Sequence, residues 1–206
     1  MNKNDSLNKL RESIKEQLSE KRYIHTLGVE KMALKLGEVL LPDKLFELSV
    51  AALLHDIAKE ITYEEQLKLL NESKYPCSKE DIDSKSTLHS LAAVPVIKRN
   101  YVQFSTDDVI SAAANHTLGS PNMSIFDEII FISDYAEEGR TYNTCIEVNR
   151  FLREKLHKEN LYMDNIKILH EASLMSIRST IDSLAKRREK IHSKTMLTKE
   201  YLESII

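Results

Sequence analysis

The chain has 206 residues, of which 42% are hydrophobic and 30% charged, and its formal net charge is −3. These values are typical of one globular domain, and they give no general electrostatic reason to bind nucleic acid or an anionic membrane. Only four Gly and four Pro occur, which disfavours β folds that are dense in turns.

Three helices are predicted in the first 60 residues, because apolar side chains recur there at helical spacing. The first has its apolar stripe at Leu7, Leu10, Ile14 and Leu18. The second, over about 21–40, carries His25 near its start. The third, over about 44–59, is apolar on nearly every side toward its end, so we expect it to be central. It carries the adjacent residues His55 and Asp56.

Shorter helices separated by polar loops are predicted in the middle of the chain. The segment from Thr62 to Glu65 has the residue types of a capping box, which marks a helix start. Two further helical patterns place His89 inside one helix and His116 just after another. The predicted helices span about 62–70, 87–98 and 105–114, and the predicted loops span 71–86 and 117–122.

The strongly apolar segment 124–135 carries Asp134 near its end. Its Ile and Phe content would also suit a buried strand. We prefer a helix, because a Ser-x-x-Asp cap begins it and no partner strand is evident. Further helices are predicted over about 142–159 and 164–190, with a short one ending at Ile206. The resulting prediction is one all-α domain over 1–206, with its core over about 20–190.

The two cysteines, Cys77 and Cys145, lie far apart and form no CxxC motif. This usage suits a reducing compartment. The N-terminal residues lack the apolar region of a signal peptide, and no run of 18 apolar residues occurs. We therefore expect a cytoplasmic protein that does not contact membranes.

The pair His55 and Asp56 follows a run of five apolar residues. A buried carboxylate beside a buried imidazole is costly unless both are paired or hold a metal. Imidazole and carboxylate ligands suit Fe, Mn, Zn, Co or Ni, and such an ion promotes phosphate ester or anhydride hydrolysis. A single His on an apolar helix is more often an ordinary core residue, and an HD dipeptide alone is a weak signal. Four residues in or beside apolar helices are candidates to complete a site: His25, His89, His116 and Asp134.

Five segments carry a resemblance to a known family. RYIHTLGV (22–29) and AALLHDIAK (51–59) resemble the HD phosphohydrolase superfamily, whose metal site has the order H…HD…H…H…D. The other three resemble one branch, the YqeK-type symmetrical dinucleoside tetraphosphatases. NHTLGSPNMS (115–124) is similar to that branch's HTTGxPNMS, ISDYAEEGR (132–140) to its ADYIEPGR, and IRSTI (177–181) to an RNTI-like segment. The resemblance covers nearly the whole chain.

The resemblance implies a hydrolase that splits diadenosine tetraphosphate symmetrically into two ADP, by attack of a metal-bound hydroxide on phosphorus. It implies one or two metal ions, iron foremost, with Mn, Co, Ni or Zn as alternatives. The implied metal ligands are His25, His55, Asp56 and Asp134, with His89 and His116 at a second metal or at the phosphates. The implied catalytic residues are Asp56, Lys59, His89 and His116. The implied nucleotide-binding residues are His25, Lys59, His89, His116, Thr117, Asp134, Arg140 and Arg178.

Three alternative functions are weighed against this hypothesis. The chain could be another HD phosphohydrolase, acting on nucleoside monophosphates, nucleoside triphosphates or cyclic nucleotides. It could be a nucleotide sensor without turnover, although the complete ligand set argues against that. A plain helical interaction module would bind no metal. The expected partners are a dinucleoside polyphosphate substrate and the ADP product, without nucleic acid, and a homodimer is left open.

Overall fold

The computed structural model describes residues 2–206, so residue 1 of the predicted 1–206 domain lies outside the described range. Within that range the regular structure is helical, without strands, which confirms the predicted all-α class. Short 3-10 turns lie at Pro42–Lys44 and Val102–Phe104. The α-helices are α1 (Lys3–Lys15), α2 (Glu20–Leu40), α3 (Leu45–Leu54), α4 (Tyr63–Ser73), α5 (Lys79–Asp83), α6 (Leu88–Asn100), α7 (Asp107–Asn115), α8 (Ile125–Ala136), α9 (Asn143–Lys155), α10 (Tyr162–Lys186) and α11 (Ser193–Ile205).

Helix α3 is central, as its apolar composition predicted. Every residue from Leu48 to Leu54 is buried. Helices α1, α2, α7 and α8 all pack against it. Helix α8 is also deeply buried, with Ile129, Ile130 and Ile132 inaccessible to solvent. These two apolar helices form the centre of the core because neither has a continuous polar face to present to water.

The terminal helices contribute to the same hydrophobic core as the rest of the chain. Leu10 of α1 and Leu202 of α11 both lie in the main hydrophobic cluster. Arg11 also pairs with the buried Glu30 of α2 at 2.6 Å between Nη2 and Oε1. None of the helices in residues 2–206 combines the length and apolar character needed to cross a bilayer.

The predicted third helix extends too far at its C-terminal end. Helix α3 ends at Leu54, and residues 55–60 form tight turns. The amide of Ile57 donates to the carbonyl of Leu54, and that of Lys59 to Asp56, so each bond spans three residues. The ring of His55 bonds the carbonyl of Ala52, which a continuing α-helix would offer to the next amide. The histidine side chain therefore occupies an acceptor that a longer helix would need.

The segment 71–86, predicted as a loop, is partly helical. Helix α4 continues to Ser73, and the short helix α5 forms beyond it. A capping box starts α5, because Ser78 and Asp81 each accept the other's backbone N–H. The predicted ranges 142–159 and 164–190 are too long, since α9 ends at Lys155 and α10 ends at Lys186. The choice of helix over strand for 124–135 is confirmed.

Candidate metal centre

Five elements of the fold converge on one polar cluster in the interior. Helix α2, the turn after α3, helix α6, the end of α7 and helix α8 each bring at least one imidazole or carboxylate. The most deeply buried members are at most 3% exposed. The structure thus brings together the six side chains that the sequence analysis singled out, and their roles as ligands stay predictions. They are His25, His55, Asp56, His89, His116 and Asp134.

Two of the imidazoles are oriented by the ends of their own helices. Nδ1 of His55 donates to the carbonyl of Ala52 at 2.6 Å, and Nδ1 of His116 donates to the carbonyl of Ala113 at 2.8 Å. Both carbonyls lie in the last turn of a helix, where no further helical amide is available to them. Because a carbonyl only accepts, each Nδ1 carries a proton, and in a neutral ring Nε2 then presents a lone pair to the cluster.

The Nε2 atom of His55 faces acceptors. It lies 3.6 Å from Oδ2 of Asp56 and 3.8 Å from Oδ1 of Asp134, and it has no hydrogen-bond partner within residues 2–206. Burial lowers the pKa of His55 to about 4, so the ring is neutral at neutral pH. A buried lone pair that faces two carboxylates is unfavourable unless a cation lies between them. These donor atoms therefore fit a divalent metal.

His25 contributes a further imidazole from helix α2. Its Nε2 atom lies 2.9 Å from Oδ1 of Asp134, and its Nδ1 atom lies 3.2 Å from Oε1 of Glu137. Burial acts to lower the pKa of His25, but the contacts with Asp134 and then Glu137 outweigh it and raise that pKa. The site thus favours a positive charge on Nε2 of His25, which a proton or a metal ion can supply.

The donor atoms form two overlapping groups that can hold a metal. One contains His25, His55 and Asp134, and the other contains His55, Asp56 and His116. Within each group the ligand atoms all lie within 4.8 Å of one another, and His55 belongs to both. Among the residues that the structure describes, His89 enters neither group. It lies beside them instead, with Nε2 at 3.2 Å from Nε2 of His116 and from Oδ1 of Asp56.

The two carboxylates are held in their charged form. Burial acts to raise the pKa of Asp56, but the contacts with His55, His116 and His89 outweigh it and lower that pKa well below its usual range. Arginines from two other segments also reach these oxygens. Arg22 Nη1 donates to Oδ2 of Asp56 at 2.7 Å. In the same way, the Arg140 and Asp134 side chains are joined by a 2.6 Å bond from Nη2 to Oδ1.

Several predicted phosphate-binding residues border the cluster. The Nζ atom of Lys59 and the hydroxyl of Thr117 each lie 3.2 Å from Nε2 of His89. Burial lowers the pKa of Lys59. Arg140 is one-third exposed while it contacts Asp134, so part of its guanidinium remains open to solvent. These residues supply hydrogen-bond donors beside the carboxylates.

Arg178 is not brought into the cluster. Its Nη2 atom pairs with Oε1 of Glu203 at 2.8 Å, and the side chain is more than half exposed. Arg178 instead lines a groove of about 690 Å³ between the start of α9 and helix α10. Tyr135, the neighbour of Asp134 in the chain, donates to the hydroxyl of Thr144, and Thr144 lines this groove.

Two residues of the site were not selected from the sequence. Arg22 contacts Asp56, and Glu137 contacts His25, across 34 and 112 positions of the chain. Both occur in quoted segments, because Arg22 begins RYIHTLGV and Glu137 lies inside ISDYAEEGR. Nothing in the sequence next to either residue indicates a partner so distant in the chain. The resemblance of these two segments to the family is the signal that could have selected Arg22 and Glu137.

An all-α chain that gathers histidines and aspartates around an adjacent His-Asp pair belongs to a recognised class of hydrolase. Residues 22–139 match the HD domain family, and the chain belongs to that family. It is accordingly a hydrolase, and HD domains depend on a bound metal, which agrees with the two donor groups. The family assignment covers the segment from the first turns of α2 to the residues after α8.

Similar proteins extend this likeness over nearly the whole chain. A Bacillus subtilis protein named "Bis(5'-nucleosyl)-tetraphosphatase, symmetrical" is 29% identical over 93% of this chain and 94% of its own length. One of the same name from Halalkalibacterium halodurans is 30% identical over 90% of each chain. A crystal structure titled "predicted HD superfamily hydrolase involved in NAD metabolism", from Clostridium acetobutylicum, superposes with a TM-score of 0.82. It is 30% identical and covers 96% of both chains.

Proposed function

We propose that this chain hydrolyses dinucleoside tetraphosphates, diadenosine tetraphosphate foremost, symmetrically into two nucleoside diphosphates. The observation that carries the proposal is the buried Nε2 atom of His55, which faces Asp56 and Asp134 without a hydrogen bond from residues 2–206. This arrangement favours a metal-dependent phosphohydrolase. The substrate class is supported by the names of the relatives that align with nine-tenths of the chain.

The two donor groups would hold the metal. His25, His55 and Asp134 form one group, and Asp56 and His116 complete the other around the same His55. The arrangement therefore suits one or two ions. When bound, a divalent ion, iron foremost and Mn, Co, Ni or Zn as alternatives, lowers the pKa of a water and polarises a phosphoryl oxygen.

The residues beside the donor groups would bind the tetraphosphate. Lys59 and Thr117 offer N–H and O–H donors next to His89, which suits non-bridging phosphoryl oxygens. Burial lowers the pKa of His89 to about 4, so at neutral pH its ring adds no second positive charge beside Lys59. Arg140 would use the exposed part of its guanidinium for a phosphate while it orients Asp134. Donors held in place in this way stabilise charge that develops on phosphorus in the transition state.

The carboxylates would orient the reacting groups. The Oδ1 atom of Asp56 lies 3.2 Å from Nε2 of His89 and 3.3 Å from Nε2 of His116. Asp56 would therefore connect its own donor group with the phosphate-binding residues around His89. Asp134 is oriented by Arg140 and contacts His25. Arg178 remains a predicted nucleotide contact, since Thr144 of the groove that it lines accepts a hydrogen bond from Tyr135, the neighbour of Asp134.

Product analysis tests the proposal. The chain is purified without chelator, its metal is measured by elemental analysis, and it is incubated with diadenosine tetraphosphate, nucleoside monophosphates, nucleoside triphosphates and cyclic nucleotides. We expect ADP as the sole product from diadenosine tetraphosphate, with much slower turnover of the others. ATP with AMP would contradict symmetrical cleavage. Turnover confined to a mononucleotide would favour another HD phosphohydrolase activity, and tight binding without turnover would favour a nucleotide sensor.

A further inference from the structure

We propose that Glu137 is a positioning residue of the metal centre. Its carboxylate accepts the Nδ1–H of His25 and so directs Nε2 of that imidazole to the metal. The inference rests on the proposed function in one respect, because it requires that His25 bind a metal. Glu137 lies outside the predicted ligand set but contacts His25, a member of that set, at 3.2 Å between Oε1 of Glu137 and Nδ1 of His25.

The three imidazoles of the donor groups are oriented in two different ways. Nδ1 of His55 and of His116 bonds a carbonyl in the last turn of the preceding helix. His25 lies six residues into α2, where the nearby carbonyls already accept helical amides. Its Nδ1 atom therefore needs a partner from elsewhere in the fold. Glu137, which follows α8, supplies that partner.

Glu137 is itself held in one orientation. The side chain is only 6% exposed, and its Oε2 atom accepts the N–H of Gly139 at 2.5 Å. Gly28, one turn beyond His25 on α2, leaves room for this carboxylate. A Cβ atom at that position would overlap Oε2 of Glu137. The close approach of Glu137 to α2 thus requires glycine at position 28.

A carboxylate behind a histidine ligand has a known physical effect. It fixes the tautomer and the ring orientation, and it makes the other nitrogen a better donor to the metal. Loss of such a partner weakens metal binding about 10–100-fold. Because main-chain carbonyls orient His55 and His116, His25 is the one imidazole of the donor groups whose metal contact a side-chain substitution can adjust without changing any ligand.

The adjacent Glu138 provides a matched control. It also joins the end of α8 to α2, through ion pairs with Lys31 and Lys35. Its side chain is nearly half exposed, and its ion-pair partners lie on the solvent side of α2. A purely structural role in attaching this segment to α2 would therefore be shared by Glu137 and Glu138, whereas a positioning role belongs to Glu137 alone.

The experiment measures affinity for Mn²⁺ by competition with a chelating dye, in the absence of nucleotide, for the full chain and for Glu137→Gln, Glu137→Ala and Glu138→Gln. We expect dissociation constants about 10-fold higher for Glu137→Gln and up to about 100-fold higher for Glu137→Ala. Glu138→Gln should stay within about 3-fold of the unsubstituted chain. Gln keeps an acceptor oxygen but no charge, so a graded loss is expected.

A second variant tests the same geometry without removing the carboxylate. Gly28→Ala should displace Glu137 and weaken Mn²⁺ binding, while combining it with Glu137→Ala should add little further loss. Unchanged affinity in Glu137→Ala, or equal losses in Glu137→Gln and Glu138→Gln, would overturn the inference. Absence of Mn²⁺ binding by the unsubstituted chain would overturn the proposed function itself. Retained Glu137-dependent binding without hydrolysis of the tetraphosphate would overturn only the substrate assignment.

Discussion

The imidazole of His55 and the carboxylate of Asp56, consecutive in the chain, meet at 3.6 Å between Nε2 and Oδ2 in the interior. Both side chains are buried, and Nε2 of His55 lacks a hydrogen bond from any described residue. The proton of this ring is on Nδ1, where the carbonyl of Ala52 binds it. The pair therefore faces the cluster with one lone pair and one negative charge, an arrangement that a bound cation completes.

Substitution of Asp56 should abolish hydrolysis. We expect Asp56→Asn to lower kcat by at least about 1,000-fold, because it removes charge from one donor group and leaves Arg22 beside a neutral amide. Elemental analysis of the same preparation should show less bound metal. Asp108→Asn is the control, since Asp108 is partly exposed and pairs with Lys44 at the surface. Comparable activity in the two variants would contradict the assigned role of Asp56.

Removal of the Lys59 side chain should weaken substrate binding and leave the metal in place. A charge-assisted hydrogen bond contributes about 1.5–3 kcal/mol, so Lys59→Ala should lower kcat/KM for diadenosine tetraphosphate about 10–100-fold. Steady-state kinetics together with metal analysis distinguishes this effect from loss of the metal. Lys68→Ala, which removes a surface ion pair with Glu72, should change neither quantity. A loss of metal in Lys59→Ala would place the residue in the metal site instead.

Metal should stabilise the fold selectively. A ligand at 100 times its dissociation constant stabilises the native state by about 2.7 kcal/mol. We therefore expect Mn²⁺ or Fe²⁺, added to the chelator-treated chain, to raise the midpoint of thermal unfolding by several degrees. Mg²⁺ at the same concentration should have little effect, because the donor groups are rich in imidazole. The increase should disappear in His55→Ala, which removes the ligand that both groups share.

Acid should destabilise the metal-free chain before its carboxylates titrate. Burial lowers the pKa of His55 and of His89 to about 4, whereas an unfolded histidine has a pKa of about 6.5. Between these values the unfolded state binds more protons than the folded state, so the free energy of unfolding falls as the pH drops from about 6.5 to 4. Urea titrations at pH 7, 5.5 and 4.5 measure this fall.

Two histidine variants test whether the buried imidazoles cause this loss of stability in acid. In His89→Gln the free energy of unfolding should decrease less between pH 7 and 4.5, because the substitution removes one buried group that resists protonation. The exposed His157, replaced by Gln, should leave the slope unchanged. His25 has the opposite effect on stability, because its pKa is raised in the folded state. Its proton stabilises the folded state and is lost only as the pH rises above about 6.5, outside this acid range. A stability that is constant from pH 7 to 4.5 would contradict the burial of neutral His55 and His89.

The order and approximate extent of most helices could be predicted because helical periodicity and capping residues are local properties. The capping residues Thr62 and Ser124 mark helix starts that the structure contains. The end of α3 was mispredicted, because the side chain of His55 takes a carbonyl that periodicity alone assigns to the backbone. Helix α5 was missed since its five residues are too few to show a period.

For this protein, the amino-acid sequence by itself determined the all-α class, the central position of α3 and the six polar residues of the cluster. These features follow from apolar periodicity and from motif blocks, which are read along the chain. Only the tertiary structure decided that His116 joins His55 and Asp56, that Arg22 holds Asp56, and that Glu137 lies behind His25. These pairings depend on distances of a few ångströms between segments far apart in sequence, and such distances are set by how the helices pack.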